Sequence, residues 1–220
     1  AAQCRGMSHP LLADDLMVLG HHCGTGKPLL ARSRLSCGMA GAVLADLLAV
    51  GRIAVVDGKV RPTGTTPTGD EHLDAYAATV AAARTPRTIR SWVRTLHSGR
   101  TFTDLTRHTA SRGLIRYERS RVLLVFTSHR YLPTSPADRD ALVLLLRGAL
   151  TRSRSADPRT STLLSLVVAT GLDRPLYGDL PPRDHRRLAK AALAGNEIAE
   201  AVHRVIQEAE SASVGIGTGV

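Results

Sequence analysis

The chain has 220 residues, which suits one domain, and 43% of them are apolar, enough for a packed core. Its formal charge of +10, carried almost wholly by Arg, predicts affinity for polyanions: anionic lipid, acidic protein or nucleic acid. The three cysteines (Cys4, Cys23, Cys37) make no disulfide framework, and no apolar run nears the ~20 residues that span a bilayer.

With only 3% aromatic residues, the core must be built from Leu, Val and Ala, which favours helices. Asp14 and Asp15 interrupt the first apolar run, so it does not read as a signal peptide, and Met7 is a candidate natural start. Pro10 to Leu19 reads as a short amphipathic helix, and Gly20 to Lys27 as a loop. A long helix is predicted from Ser33 to Ala49. Gly38 and Gly41 inside it cost helix stability, so their expected use is close packing against a neighbour.

Asp57-Gly58 between Ile53-Ala54-Val55-Val56 and Lys59-Val60-Arg61 predicts a β-hairpin. Asp70 is expected to cap a helix to Ala83, and Thr85-Pro86 to open the next, which carries Ile89, Trp92, Val93 and Leu96. A short helix from Thr103 to Arg112 stops at Gly113. A second hairpin is predicted from Leu114 to Phe126, turning near Glu118 to Ser120. Ser135-Pro136 and Asp157-Pro158 open two apolar helices, and two more cover Pro182 to Ala194 and Asn196 to Glu210. The fold class expected is mainly α: a single compact helical domain over 8–210 with two β-hairpins and winged-helix-like elements. Residues 1–7 and 211–220 are expected to be flexible termini.

Two motifs tempt without closing. Gly24-Thr25-Gly26-Lys27 resembles part of a phosphate loop, but His21 stands where the first Gly belongs and Pro28 offers no hydroxyl. His21, His22, Cys23 and Cys37 lack metal-ligand spacing. No nucleophile elbow, Cys–His signature or paired-carboxylate motif appears. The expectation is therefore no metal, no cofactor and no enzymatic activity.

The segment from Arg112 to Arg130 is more informative. Arg116, Arg119 and Arg121 precede the apolar run Val122-Leu123-Leu124-Val125-Phe126, and only Glu118 opposes the charge. A basic, apolar hairpin suits an anionic bilayer surface, with arginines at the phosphates and apolar residues inserted. The alternative is burial of the run in the protein or in a homo-oligomer.

The stretch Leu29-Leu30-Ala31-Arg32-Ser33-Arg34-Leu35-Ser36, Gly38, Ala40-Gly41-Ala42, Leu44-Ala45-Asp46-Leu47 and Gly51-Arg52-Ile53 resembles the signature of the Golgi phosphoprotein 3 family. Thr66-Pro67-Thr68-Gly69-Asp70 followed by Leu73-Asp74 is similar to its second signature, and the likeness extends over about residues 10 to 210. The Ala- and Arg-rich style is similar to the family's bacterial, actinobacterial-like branch.

The resemblance implies a mostly helical fold and a peripheral membrane, lipid-binding role in the cytoplasm. Eukaryotic members bind phosphatidylinositol 4-phosphate and act as adaptors for protein clients. Their headgroup pocket uses a Trp and an Arg in the first signature and two Arg in the helix before the hairpin. An ungapped alignment places Ala31 and Ala40 at the first two positions and the last two near Gly99 and Phe102. Arg32, Arg34, Arg100 and Arg107 lie close by and are the candidates to meet an anion instead. Arg32 and Arg34 are equally candidates to pair with Asp14 or Asp70 and hold the scaffold. A protein-interaction scaffold remains an alternative. So does a winged-helix DNA binder, since two helices precede a basic hairpin, although the second helix carries few base-reading residues beyond Arg107 and His108.

Overall fold

Leu, Val and Ala do supply the core, and they do so around one helix. The computed structural model describes residues 11–122, 126–152 and 156–215. Among them are ten helices and two small antiparallel sheets, so the chain is mainly α. Helix α1 (Leu12–Leu19) leads through a tight loop into α2 (Arg32–Ala49). Twelve residues of α2, Leu35 to Ala45 and Leu47, are buried. A helix apolar on every side belongs in the middle of a core, and α2 packs against α1, α3, α4, α5, α7 and α10, all defined below.

Gly38 and Gly41 make that centre possible. A Cβ on Gly38 would collide with Thr170 Cγ2, and one on Gly41 with Val202 Cγ2 and, at 3.1 Å, Leu166 Cδ2. These are the close approaches expected from the sequence.

The first hairpin, β1 (Ile53–Val56) with β2 (Lys59–Pro62), turns at Asp57-Gly58, whose φ values of 51° and 69° are those of the two-residue turn its strands favour. Helix α3 (Glu71–Ala81) starts at Asp70, whose carboxylate accepts the Leu73 N–H at 3.0 Å. Thr85-Pro86 does not open the next helix. Instead Arg87–Thr88 forms a short edge strand, β3, on β2, and the Thr88 hydroxyl caps α4 (Ile89–Leu96). Pairing with β2 outbids the local proline signal.

Ser98 caps α5 (Gly99–Ser111), which therefore begins a turn earlier than Thr103. Strands β4 (Ile115–Val122) and β5 (Phe126–Pro133) pair in register from Ile115 with Pro133 to Val122 with Phe126. Glu118 to Ser120 lie within β4 and pair with Arg130, His129 and Ser128, so the turn does not fall there as expected. The succession α4, α5, β4, β5 keeps a winged-helix-like order.

Helices α6 (Pro136–Leu150) and α7 (Pro158–Thr170) start at their expected caps, Ser135 and Asp157. A short α8 (Asp173–Tyr177), not legible from periodicity, precedes α9 (Pro182–Leu193). Helix α10 (Glu197–Gly215) continues beyond Glu210, so residues 211–215 are helical rather than a loose tail. It packs on α2, α4 and α7.

Candidate functional site

Arg32 begins α2 and lies on the surface, where its guanidinium sits 4.4 Å over the Phe102 ring. Its Nη2 donates to Thr103 Oγ1 at 3.3 Å and to the Gly99 carbonyl at 3.5 Å. A solvent-exposed cation over a ring face contributes about 0.5–1 kcal/mol. Phe102 itself is buried and meets Tyr131 of β5 edge-on, with centroids 6.4 Å apart. Tyr131 in turn touches His21 at 5.0 Å and Tyr117 at 5.4 Å, and the Tyr117 hydroxyl is 2.7 Å from His129 Nδ1. Burial, with Tyr117 adding to it, pushes the Tyr131 phenol up, and Arg32 opposes that shift.

The loop after α1 completes this surface. Its backbone folds back on itself, His22 N–H to the Lys27 carbonyl at 2.9 Å and Gly26 N–H to the His22 carbonyl at 2.8 Å. Gly26 has φ 61°, and a Cβ there would come within 3.0 Å of Leu132 Cγ and of the Tyr131 nitrogen. The phosphate-loop-like glycine is thus a packing position against β5. Below it Arg139, nearly buried, donates from Nε to the His21 carbonyl at 3.2 Å. Burial lowers the His21 pKa, and its Nδ1 is 2.8 Å from the Met17 carbonyl.

Of the four aligned pocket positions, Ala31 is exposed at the start of α2 and Ala40 is fully buried. Arg32 bridges the other two, Gly99 and Phe102. Arg100 is exposed and makes no ion pair among the described residues, while Arg107 pairs with Asp104 at 3.1 Å. Arg34 points elsewhere: its Nη2 is 2.5 Å from Glu210 Oε1 and its Nη1 donates to the Thr170 carbonyl at 3.1 Å. The expected partners Asp14 and Asp70 are held instead by Arg112, at 3.6 Å each.

On the second hairpin, Arg116 pairs with Glu118 at 3.0 Å. Leu123, Leu124 and Val125 lie outside the described residues. For Arg119, Arg121, Val122 and Phe126 the description is of backbone pairing alone.

A buried polar network lies behind α5. Asp14, 1% exposed, accepts from Thr109 Oγ1 at 2.6 Å and from the Leu11 N–H at 3.0 Å. His108 Nε2 is 3.2 Å from Asp70 Oδ2, and its ring lies 4.2 Å from that of His72. Burial lowers the His108 pKa against the pull of Asp70 and Asp14. Asp70, within the second signature, therefore joins α3 to α5 as well as capping α3. In the same signature Asp74 accepts the Thr68 N–H at 2.9 Å and pairs with Arg52 at 3.0 Å. These groups hold elements together.

Among the described residues no group of three or more His, Cys, Asp or Glu could hold a metal ion. Cys23 and Cys37 are free thiols, and burial pushes Cys37 up to about 11. No helix among the described residues is long and apolar enough to cross a membrane. A family model described as Golgi phosphoprotein 3 (GPP34) matches residues 12–209. No curated protein matches the sequence.

Proposed function

From the premise that the chain belongs to the Golgi phosphoprotein 3 family, whose model covers nearly all of it, we propose that it binds anionic membrane surfaces peripherally. Arg32 is the observation that carries this reading. It lies across the adjoining first turns of α2 and α5, stacked on Phe102; Arg100, two residues before Phe102, is exposed and without an ion pair among the described residues. Ala31 gives α2 no side-chain cap, so the N–H groups of that turn remain available to an anion at the positive end of the helix. The basic strand β4, with Arg116, Arg119 and Arg121, extends positive charge along the second hairpin.

Arg32 takes part in the chemistry that the aligned pocket lacks here, but from one residue over and in a different geometry. Alanine at 31 and 40 supplies neither charge nor hydrogen bond, and Ala40 is out of reach of any ligand. The reading is therefore attraction to phosphate-rich surface with little preference for phosphatidylinositol 4-phosphate at matched charge. Protein clients and assembly through the second hairpin are compatible with it and add to it.

The test is co-sedimentation of the chain with vesicles of phosphatidylcholine alone or with phosphatidylglycerol or phosphatidylinositol 4-phosphate at matched surface charge. Binding is expected only with anionic lipid, falling as salt rises, because exposed charge attraction is screened within about 8 Å at physiological ionic strength. Arg32→Ala with Arg100→Ala should weaken it by up to about thirtyfold, each charge near such a surface contributing about 1 kcal/mol. Equal binding to neutral vesicles, or tighter binding to duplex DNA than to any vesicle, refutes the proposal.

A further inference from the structure

Arg34 and Arg32, two residues apart on α2, sit about 200° apart around the helix, and Arg34 borders a different opening. This is a cleft of about 760 Å³ between the end of α7, α8, α9 and α10. Its size falls in the range of small-molecule sites, roughly 300–1,000 Å³. It shares no lining residue with the Arg32 surface.

The charge in the cleft does not balance. Arg34, Arg174, Arg186 and Lys190 line it against two carboxylates, Asp173 and Glu210. Glu210 is held by Arg34 at 2.5 Å, and Asp173 by His185 at 3.1 Å. Arg174, Arg186 and Lys190 are left exposed with no ion pair among the described residues. Arg186 and Lys190 stand four residues apart on α9, an arrangement in which like charges repel and destabilise a helix unless an anion lies between them. Helix α9 also starts at the cleft, with Pro182 in its lining and no side-chain cap, so its positive end adds to the field.

Val168, Leu180, Leu193 and Ile206 give the cleft an apolar wall, beside the polar groups of His185, His203 and Gln207. Cations over an apolar wall describe a ligand with one anionic end and one apolar body. Two guanidinium groups favour an oxyanion with several acceptor oxygens in fixed geometry, which a phosphate monoester provides.

We propose that this cleft is a second anion site, distinct from the membrane-facing surface, which takes a phosphate monoester through Arg174, Arg186 and Lys190 and seats its apolar body on α7 and α10. The phosphate can come from a soluble metabolite or from a single lipid withdrawn from a bilayer. The chemistry is the same, and the probes separate the sources.

The experiment is isothermal titration calorimetry of the full chain, at low salt and without vesicles, with phenyl phosphate and with micelle-free dioctanoyl phosphatidate; phenol is the uncharged control. Saturable one-site binding of at least one phosphate probe, and none of phenol, is expected. The double variant Arg186→Ala/Lys190→Ala should weaken it at least about tenfold, the scale of losing charge-assisted hydrogen bonds. Both side chains are exposed on α9, so the variant should fold, and Arg32→Ala should leave the titration unchanged. Tighter binding of phosphatidate assigns the lipid source, and tighter binding of phenyl phosphate the soluble one. The proposal is overturned if neither probe binds the native chain saturably, if the double variant binds as well as the native chain, or if Arg32→Ala abolishes the heat. Because no vesicle is used, a failure here is separate from a failure of membrane association.

Discussion

Gly41→Ala sets two measurable effects against each other at the centre of the fold. Alanine in a helix interior is favoured over glycine by about 0.8–1.0 kcal/mol. Against that, the new Cβ collides with Val202 Cγ2 and lies 3.1 Å from Leu166 Cδ2. Both neighbours are fully buried, and Val202, as a valine in a helix, has essentially one rotamer to occupy, so it cannot turn away. Overpacking of this kind costs about 1–3 kcal/mol. With Val202 fixed and the overlap severe, the upper half of that range applies, and the net loss should be about 1–2 kcal/mol. Gly99→Ala is the control: nothing lies within 4 Å of its Cβ and its φ is not positive, so it should gain about 0.4–1 kcal/mol. Urea unfolding followed by circular dichroism reads both as shifts of midpoint at constant slope. Adding Val202→Ala to Gly41→Ala should cost less than the two separate losses summed, because the collision is gone. A Gly41→Ala chain as stable as the native one, or additive losses in the pair, would refute the close approach of α2 and α10.

Asp70→Ala should lose about 1–2 kcal/mol, the scale of a helix cap, while Asp70→Asn should lose less because it keeps the cap to Leu73 and gives up only the charge facing His108 and Arg112; thermal unfolding of the two variants checks the order. Burial raises the Asp46 pKa to about 7, against about 3.9 in an unfolded chain. The folded state therefore binds the extra proton between about pH 4 and 7, and stability from this group falls as pH rises through that window. Asp46→Asn, which can still accept the Leu12 N–H that Asp46 takes at 2.9 Å, should flatten the pH profile of stability, and an unchanged slope would count against the assignment. Arg139→Ala should destabilise by about 1–3 kcal/mol through the orphaned His21 carbonyl, seen as faster amide exchange in the 20–28 loop.

Local chemistry was the part legible in advance. Asp57-Gly58, Asp70, Ser135 and Asp157 act on the residues next to them, and each formed the turn or cap its type dictates. Gly38 and Gly41 told that a neighbour comes close, though not that it would be Thr170 and Val202. What failed were features decided across the chain. Thr85-Pro86 gave a sound start signal, overruled by a strand pairing with β2. Arg34 had acidic candidates nearby in sequence, yet its partner Glu210 lies 176 residues on. Arg32 was named as a candidate from proximity to the signature, but its stacking on Phe102 depends on how α2 meets α5, which no periodicity encodes. The α9 cleft was invisible for the same reason: Arg174, Arg186 and Lys190 look like ordinary surface charge until α8 and α9 bring them around one opening.

Helix α10 follows in the chain every element it covers. It buries Ile198, Ala199, Val202, Val205 and Ile206 against α2, α4 and α7. During synthesis the Gly41 face of α2 thus stays uncovered until more than 150 further residues have been added, since Val202 lies that far along the chain. At about 5–20 residues per second that exposure lasts on the order of ten seconds or more. The nascent chain presents an open apolar groove for that interval. A ribosome-stalled chain ending before Glu197 should therefore engage holding chaperones, and one extended past Gly215 and clear of the exit tunnel should release them.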